Sequence, residues 1–346
     1  MMRKQFTLVS TVFNERKRID KTIEDLRNQT LQPAEIIITD AGSTDGTYEA
    51  LIEWQRHSAV PIVVLQQKGC NVAEGRNIAI RKASHDLIAS TDFGCRFHPD
   101  WLKSLMSPFA DISVKATGGA FSVIEQDIDT LPAKAAYILS NGYQVDIAHD
   151  SFIPSSRSVA YYKDIFERAG GYPEWLTLAG DDTTFGKVVK SAGVVFHQVT
   201  EPYVYWGRHK AAKAYVKEAF RYGLGDGEAH VNQRNVISNS IETLLRYLLF
   251  ISFLILAIAV ISKQLTLPWL LICIIFLPGL RSYINYLRNW LKLKSAKYNF
   301  SVFLYGISLL ERTRLSYIKG YTKGYFKSSD KKKEEARQLQ KRLSLK

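Results

Sequence analysis

Four short runs of β-branched residues recur in the first part of the chain, and each is followed by a stretch with helical spacing. The runs are FTLVSTVF (6–13), EIIITD (35–40), PIVVLQQ (61–67) and DLIASTDF (86–93). Repeated strand and helix units of this length favour an α/β fold with a mostly parallel sheet and helices on both faces. Ligands of such sheets bind beyond the carboxyl ends of the strands. The polar residues that follow these runs are therefore the first candidates for a site.

The middle of the chain is richer in aromatic residues. Residues 126–235 predict a helix that starts near Asp181 and short strands at VVFHQV and PYVYW. The three cysteines have no paired spacing, so neither a disulfide framework nor a zinc site is predicted. The first apolar stretch has the length of a strand and is too short for a secretory signal.

A long apolar stretch begins near residue 243. TLLRYLLFISFLILAIAVIS (243–262) is long enough to span a bilayer, and LTLPWLLICIIFLPGL (265–280) is somewhat shorter. Only Lys263 and Gln264 interrupt them, so the pattern predicts a transmembrane helical hairpin over 243–280. The alternative is a buried helical pair in a soluble protein.

The net charge of +13 lies entirely after this hairpin, because residues 281–346 contain 17 Lys and Arg but only 4 Asp and Glu. A neutral body with a basic tail fits an anionic membrane surface and argues against nucleic-acid binding. The same excess places this side of the membrane in the cytoplasm. The stretch RSYINYLRNWLKLKSAK is typical of an interfacial helix. The predicted domains are therefore 1–235, the hairpin 243–280, and basic interfacial helices with a tail over 281–346.

Acidic residues follow two of the predicted strands. TVFNE (11–15) ends the first run, and TDAGSTDGT (39–47) ends the second. Asp40, Gly42 and Ser43 suit a capped turn. Carboxylates delivered to one edge by adjacent strands could also accept hydrogen bonds from a nucleobase N–H or from ribose hydroxyl groups.

Three further clusters carry possible chemistry. Asp92 ends the fourth run, and its hard carboxylate oxygen suits Mg²⁺ or Mn²⁺ held mainly by phosphates. Arg76 could pair with a diphosphate through its planar fork, or could simply lie on the surface. Asp181 and Asp182 could cap a helix, or one of them could act as a base whose pKa rises beside a like charge.

The order of these motifs resembles family 2 glycosyltransferases of the GT-A fold, which are inverting enzymes that use nucleotide-activated sugars. The resemblance covers roughly residues 5–230 and rests on TVFNE, DAGSTDGT, GRN, the strand ending at Asp92, and GDD. PSSRSVAY (154–161), GGYPE (170–174) and RYGLGDG (221–227) look like members that have a membrane-anchored C-terminus.

The resemblance implies a role for each matching position. The residues implied in donor or acceptor binding are Asn14, Glu15, Asp40, Gly42, Ser43, Arg76, Asn77 and Arg157. Asp92 matches the first aspartate of the DxD metal motif. Asp182 matches the base of the ED pair, and Asp181 replaces the glutamate of that pair.

Two positions depart from the family pattern. Gly94 stands where the second carboxylate of the DxD motif is expected, so metal binding would rest on Asp92, the diphosphate and water. The QxxRW motif of processive members is absent, because Gln233 and Arg234 have no tryptophan at the needed spacing. A single addition is therefore predicted.

The resemblance implies transfer of one sugar, with inversion, from a UDP- or GDP-sugar in the presence of Mg²⁺ or Mn²⁺. The acceptor is predicted to be a hydroxyl of a membrane-associated, lipid-linked saccharide of cell-surface glycan synthesis. The enzyme is expected at the cell membrane with its catalytic domain in the cytosol. The alternatives are a polyprenyl-phosphate glycosyltransferase and a catalytically inactive, membrane-anchored protein that binds nucleotide sugars or glycans.

Overall fold

The computed structural model describes residues 4–143, 152–261 and 275–344. In these ranges, an eight-stranded sheet forms the centre of an α/β domain. The strands are β1 (Thr7–Val12), β2 (Glu35–Asp40), β3 (Ile62–Gln66), β4 (Leu87–Asp92), β5 (Arg96–Phe97), β6 (Ala116–Val123), β7 (Val159–Tyr162) and β8 (Phe196–Trp206). The α-helices are α1 (Arg16–Arg27), α2 (Thr47–His57), α3 (Val72–Lys82), α4 (Trp101–Met106), α5 (Leu131–Leu139), α6 (Lys163–Ala169), α7 (Asp181–Ser191), α8 (Ala212–Glu228), α9 (Gln233–Ile261), α10 (Arg281–Leu293), α11 (Phe300–Lys327) and α12 (Asp330–Ser344).

The strand order is β3-β2-β1-β4-β7-β6-β8-β5. The first four strands are parallel, β7 runs antiparallel to β4 and β6, and β5 runs antiparallel to β8. The mostly parallel sheet predicted from the sequence is confirmed. The two short strands predicted at VVFHQV and PYVYW are wrong as separate elements, because both lie in β8. The strand continues across a register shift opposite Gly119 and Phe121 of β6.

Both faces of the sheet are buried. Successive side chains of β2 point to opposite faces and pack in two different hydrophobic clusters. Ile36 and Ile38 pack with Ile19 of α1 in one cluster, whereas Ile37 packs with Ile80 of α3 in the other. Burying one such side chain stabilises the fold by about 1.5–3 kcal/mol. Since helices cover both faces, the carboxyl ends of the parallel strands are left for a site.

Helix α9 is long and apolar enough to cross a membrane by length and composition alone. Its most apolar window of 18 residues has a mean hydropathy of 2.6 and is 17% buried. Of the second predicted span, residues 265–274 lie outside the described residues. Leu277–Leu280 form a short 3-10 turn, in which Gly279 lies against the backbone of Arg246. The chain has therefore returned to the middle of α9 at this point.

The end of the chain packs on the α/β domain. Helix α11, which includes the apolar stretch 300–310, lies against α8, and a Cβ at Gly320 would overlap the carbonyl oxygen of Phe220. In α12, Gln340 donates hydrogen bonds of 3.1 Å to the carbonyls of Ala229 and His230. The sequence prediction of residues 281–346 as a separate membrane-adjacent unit and tail missed these contacts, because they join residues about a hundred positions apart.

Candidate active site

A cleft of about 700 Å³ opens at the carboxyl ends of β1 and β4. It is bounded by the start of α3, the turn before α7 and one side of α8. Four of the residues predicted for the site line it, namely Glu15, Asp92, Arg157 and Asp181. The polar edge predicted from the strand ends therefore coincides with a cavity of ligand size.

Arg76 lies beneath this cleft and joins two of its carboxylates. Its guanidinium donates to Asp92 Oδ1 at 2.8 Å and to Asp181 Oδ2 at 2.6 Å, and its side chain is only 2% exposed. The ring of Tyr172 lies 4.8 Å from the guanidinium carbon. Both arms of the fork are already bound to carboxylates, so this geometry does not favour the predicted contact of Arg76 with a diphosphate, which stays a prediction. Arg76 is a positioning residue.

Asn77 is also turned away from the cleft. Its side-chain nitrogen donates to the Tyr172 carbonyl and to Glu174 Oε1, both at 2.8 Å, and its oxygen accepts from the Tyr172 amide. All of its strong hydrogen bonds hold the loop before α7. This is a structural role, and the predicted substrate contact of Asn77 stays a prediction.

Asp40 and its neighbours form the capped turn that the sequence allowed. Asp40 Oδ2 accepts from the amides of Gly42 and Ser43, both at 2.9 Å. Asn14 is tied to the same turn, since its amide donates to Ser43 Oγ and its side chain accepts from the Thr44 amide. The buried Asp40 Oδ1 has no hydrogen-bond partner among the described residues. An acceptor in this state is compatible with the predicted hydrogen bond from a ligand, and that contact stays a prediction.

Asp92 keeps one oxygen available at the floor of the cleft. Oδ1 is bound by Arg76, whereas Oδ2 lies 3.7 Å from Arg157 Nε, which is an ion-pair distance and not a hydrogen bond. The side chain is 30% exposed. A partly exposed carboxylate oxygen in a cleft suits a divalent cation whose other ligands come from a diphosphate.

Glu15 fills the space beside Gly94. A Cβ at Gly94 would lie 2.7 Å from Glu15 Oε2, so the carboxylate of Glu15 occupies the region that a side chain at position 94 would need. Burial raises the pKa of Glu15 to about 7, Arg18 lowers it, and the carboxylates of Asp45 and Asp92 raise it. The space beside Gly94 is thus taken by a carboxylate from the segment that joins β1 to α1.

Asp181 and Asp182 begin α7 but face different surroundings. Asp181 lines the first cleft and is bound by Arg76; burial raises its pKa, whereas Arg76 lowers it. Asp182 lines a second cavity of about 380 Å³, where Oδ2 accepts from Ser155 Oγ at 3.3 Å. Successive helix residues point about 100° apart, so the two carboxylates serve different cavities. Of the two carboxylates, Asp182 is the one that lines the smaller cavity.

Arg157 forms the wall between the two cavities, because it lines both of them. Its guanidinium lies 3.9 Å from the ring centre of Trp206 at the end of β8, and it donates to Ser155 Oγ at 2.8 Å. Both contacts hold the side chain in place. The sequence prediction that Arg157 faces the donor or acceptor side agrees with this position, while its contact with a substrate stays a prediction.

Three lining residues were given no role from the sequence. Trp206 lines the first cleft with Arg221 of α8, and Tyr222 lines the second cavity. The Arg221 side chain makes no hydrogen bond or ion pair within the described ranges, so it is a free cation at the cleft. Arg221 and Tyr222 are the first two residues of the RYGLGDG motif (221–227). Nothing in the local pattern of that motif indicated that α8 faces the carboxyl ends of the strands.

Known proteins share both this fold and parts of this sequence. The structure resembles that of the mannosyltransferase PcManGT from Pyrobaculum calidifontis, with a TM-score of 0.53 and 15% identity, over 95% of this chain and 89% of that chain. Glycosyltransferase AglE from Haloferax volcanii is 24% identical over 63% of this chain and 72% of its own length. The O-antigen chain rhamnosyltransferase RfbN from Salmonella typhimurium is 22% identical over 54% of this chain and 62% of its own.

The fold is that of the GT-A class of glycosyltransferases. Residues 7–168 match the model of glycosyl transferase family 2. This matched part includes Glu15, Asp40, Arg76, Asp92 and Arg157, whereas Asp181 and Asp182 follow it. The chain therefore contains a family 2 glycosyltransferase domain over these residues. The resemblance drawn from the sequence motifs is confirmed.

Proposed function

We propose that this enzyme transfers a single sugar, with inversion, from a nucleoside-diphosphate sugar to a hydroxyl of a membrane-associated, lipid-linked saccharide. The observation that carries the proposal is the pair of adjoining cavities. Asp92 lies in the larger cavity, Asp182 lies in the smaller one, and Arg157 separates them. A donor in the first cavity and an acceptor in the second would meet beside Arg157.

Asp182 acts as the general base of this reaction. It accepts the proton of the acceptor hydroxyl, whose oxygen then attacks the anomeric carbon from the side opposite the leaving nucleoside diphosphate. The new bond joins the acceptor oxygen to the sugar, and the bond between the sugar and the diphosphate breaks. Arg221, which has no other partner in the described part of the chain, attracts the diphosphate in place of the buried Arg76.

Asp92 would hold a divalent cation together with the donor diphosphate. When bound, Mg²⁺ or Mn²⁺ stabilises the negative charge that develops on the leaving diphosphate. The similar mannosyltransferase was solved with GDP-mannose and Mn²⁺. GDP-sugars, with UDP-sugars, are therefore the first donors to test here.

The proposed acceptor and location follow from the exposed apolar surface. Leu254 and Ile258 of α9 are exposed, as are Ile284, Leu287 and Leu291 of α10, although these are apolar side chains. A bilayer would cover both faces, and α10 also carries basic residues, as an interfacial helix does. A catalytic domain held at the cytosolic face of the cell membrane meets acceptors that are anchored in the same plane.

Nucleotide binding tests the donor site directly. Calorimetry of the detergent-purified chain with UDP, GDP, CDP and dTDP, with and without Mn²⁺, is expected to show metal-dependent binding of one nucleotide. Asp92→Asn keeps a hydrogen-bond acceptor for Arg76 and removes the charge of the carboxylate. It is therefore expected to abolish the increase in nucleotide affinity that Mn²⁺ causes. Failure of every nucleotide to bind under both conditions would overturn the proposal and favour the anchored glycan-binding protein.

A further inference from the structure

The space beside Gly94 is occupied by a carboxylate that comes from a different strand. Gly94 has a φ of +88°, and a Cβ there would lie 2.7 Å from Oε2 and 3.0 Å from Cδ of Glu15. Contacts this short do not occur for real Cβ atoms unless the neighbour moves. Any side chain at position 94 would therefore displace Glu15 from its place.

The backbone of Glu15 is held firmly, whereas its carboxylate is not. Its amide donates to Thr47 Oγ1 at 2.9 Å, and its carbonyl accepts from the amides of Arg18 and Ile19. The side chain is half-buried in the cleft, where no hydrogen bond or ion pair to its carboxylate occurs within the described ranges. Removing a carboxylate from water without a partner is costly, so this arrangement is suited to a ligand.

Glu15 and Asp92 reach the same cleft from neighbouring strands. In the pairing of β1 with β4, Thr11 lies opposite Asp92, and Glu15 follows shortly after the end of β1. Both side chains line the cleft. Mg²⁺ and Mn²⁺ prefer carboxylate and phosphate oxygens, so two carboxylates beside a diphosphate form a suitable ligand set.

We propose that Glu15 supplies the second carboxylate ligand of the divalent cation, in the role that residue 94 cannot take. The inference rests on the proposed metal-dependent donor site. Glycine at position 94 leaves the space that the Glu15 carboxylate occupies, and the metal site is built from the end of β4 and the segment that follows β1. Glu15 thereby binds the metal rather than only lining the nucleotide pocket.

The test measures the affinity of Mn²⁺ for the complex of the full chain with UDP or GDP, whichever the wild type binds, from the electron paramagnetic resonance signal of free Mn²⁺. Glu15→Gln keeps the size of the side chain and removes the charge. It is expected to weaken Mn²⁺ binding by at least about tenfold. Nucleotide binding without metal is expected to stay within about twofold of the wild type. Asp20→Asn removes an exposed charge from α1, the helix that begins just after Glu15, and should leave both affinities unchanged.

A double variant moves the carboxylate to position 94. Glu15→Ala removes the clash, and Gly94→Asp adds a residue that tolerates positive φ better than most. Recovery of Mn²⁺ affinity in the double variant, relative to Glu15→Ala alone, supports the proposal.

Unchanged Mn²⁺ affinity in Glu15→Gln, while Asp92→Asn loses Mn²⁺ affinity, would overturn the role of Glu15 and leave the proposed donor site unaffected. Weaker metal-free nucleotide binding in Glu15→Gln, with Mn²⁺ affinity unchanged, would assign Glu15 to the nucleotide instead. Absence of metal-dependent nucleotide binding in the wild type would overturn both proposals.

Discussion

Arg76 shows how single residues organise this site. Its buried charge is balanced by Asp92 on one arm and Asp181 on the other, while the Tyr172 ring covers its plane. A buried cation is tolerated only when its partners are close and well oriented. The same contacts fix Asp92 relative to the start of α7, which carries Asp182.

Replacing Arg76 should therefore destabilise the fold. Arg76→Gln would leave two carboxylates without their partner, and breaking a buried pair in this way costs about 3–5 kcal/mol. Urea unfolding of detergent-solubilised protein measures the change. The control is Arg81→Gln on the same helix, whose pair with Glu174 is largely exposed and should cost about 0–1 kcal/mol. Equal effects of the two variants would contradict the positioning role of Arg76.

Asp182 can be tested by separating binding from turnover. Asp182→Asn is expected to keep nucleotide affinity within a few fold, because the side chain lines the smaller cavity and not the larger cleft that is proposed to bind the donor. Transfer should fall by about 10²–10⁴-fold, the usual contribution of a general base. Rates of sugar transfer and calorimetric affinities measure the two quantities on the same preparation.

The matched control for this variant is Asp164→Asn, which removes an exposed carboxylate on α6 and should leave transfer unchanged. Substantial transfer by Asp182→Asn would contradict its assignment as the base. That result would favour the polyprenyl-phosphate alternative, in which a phosphate oxygen is the nucleophile and needs little deprotonation.

At the scale of elements, α8 and α11 meet through glycines on both helices. Gly223 and Gly227 of α8 face the backbone of α11, and Gly320 and Gly324 of α11 face the backbone of α8. A Cβ at any of these four positions would overlap a carbonyl oxygen of the other helix. The absence of side chains lets the two backbones approach closely, and α8 in turn presents Arg221 and Tyr222 to the two cavities.

This packing reverses the usual effect of a Gly to Ala substitution. In an exposed helix, alanine would stabilise the chain by about 1 kcal/mol relative to glycine. Gly320→Ala is instead expected to destabilise it, by about 1–3 kcal/mol, because the new methyl group overlaps the Phe220 carbonyl. Thermal unfolding measures whether Gly320→Ala raises or lowers the stability of the protein. Lys319→Ala, at the adjacent exposed position, is the control. A stabilised Gly320→Ala variant would show that the helices are not packed this closely.

These contacts also show what the sequence could and could not predict. The first four strands and the start of α7 at Asp181 follow from local periodicity and turn residues, so they were found. Arg76 pairs with Asp181, which is 105 residues away, and Glu15 meets Gly94 from another strand. A single sequence contains no local signal for either pairing. The resemblance to a family indicated residue types but not these partners, so it did not predict the buried contacts of Arg76 and Asn77.

At the scale of the whole molecule, charge and apolar surface are unevenly distributed. The full net charge of +13 lies after residue 280, close along the chain to the exposed apolar residues of α9 and α10. Two ion pairs join α9 to α11, because Arg246 pairs with Glu311 and Arg314 pairs with Glu242, both at 2.9 Å. Since α11 is also packed on α8, a membrane that binds α9 would be connected through these helices to the smaller cavity, which Tyr222 of α8 lines.

The membrane proposal predicts how the chain responds to charges placed in α9. Leu254 and Ile258 are 64% and 58% exposed, so lysine fits at both positions without disturbing the packing. Each lysine near the centre of a spanning helix costs about 2.5–3.5 kcal/mol. The wild type is expected to stay with membranes after alkaline carbonate extraction, and the double lysine variant is expected to be released to a much larger extent. Ile112→Lys combined with Val195→Lys is the control, because both residues are about as exposed but lie on the α/β domain. Release of the wild type itself would mean that another protein surface, and not a bilayer, covers α9.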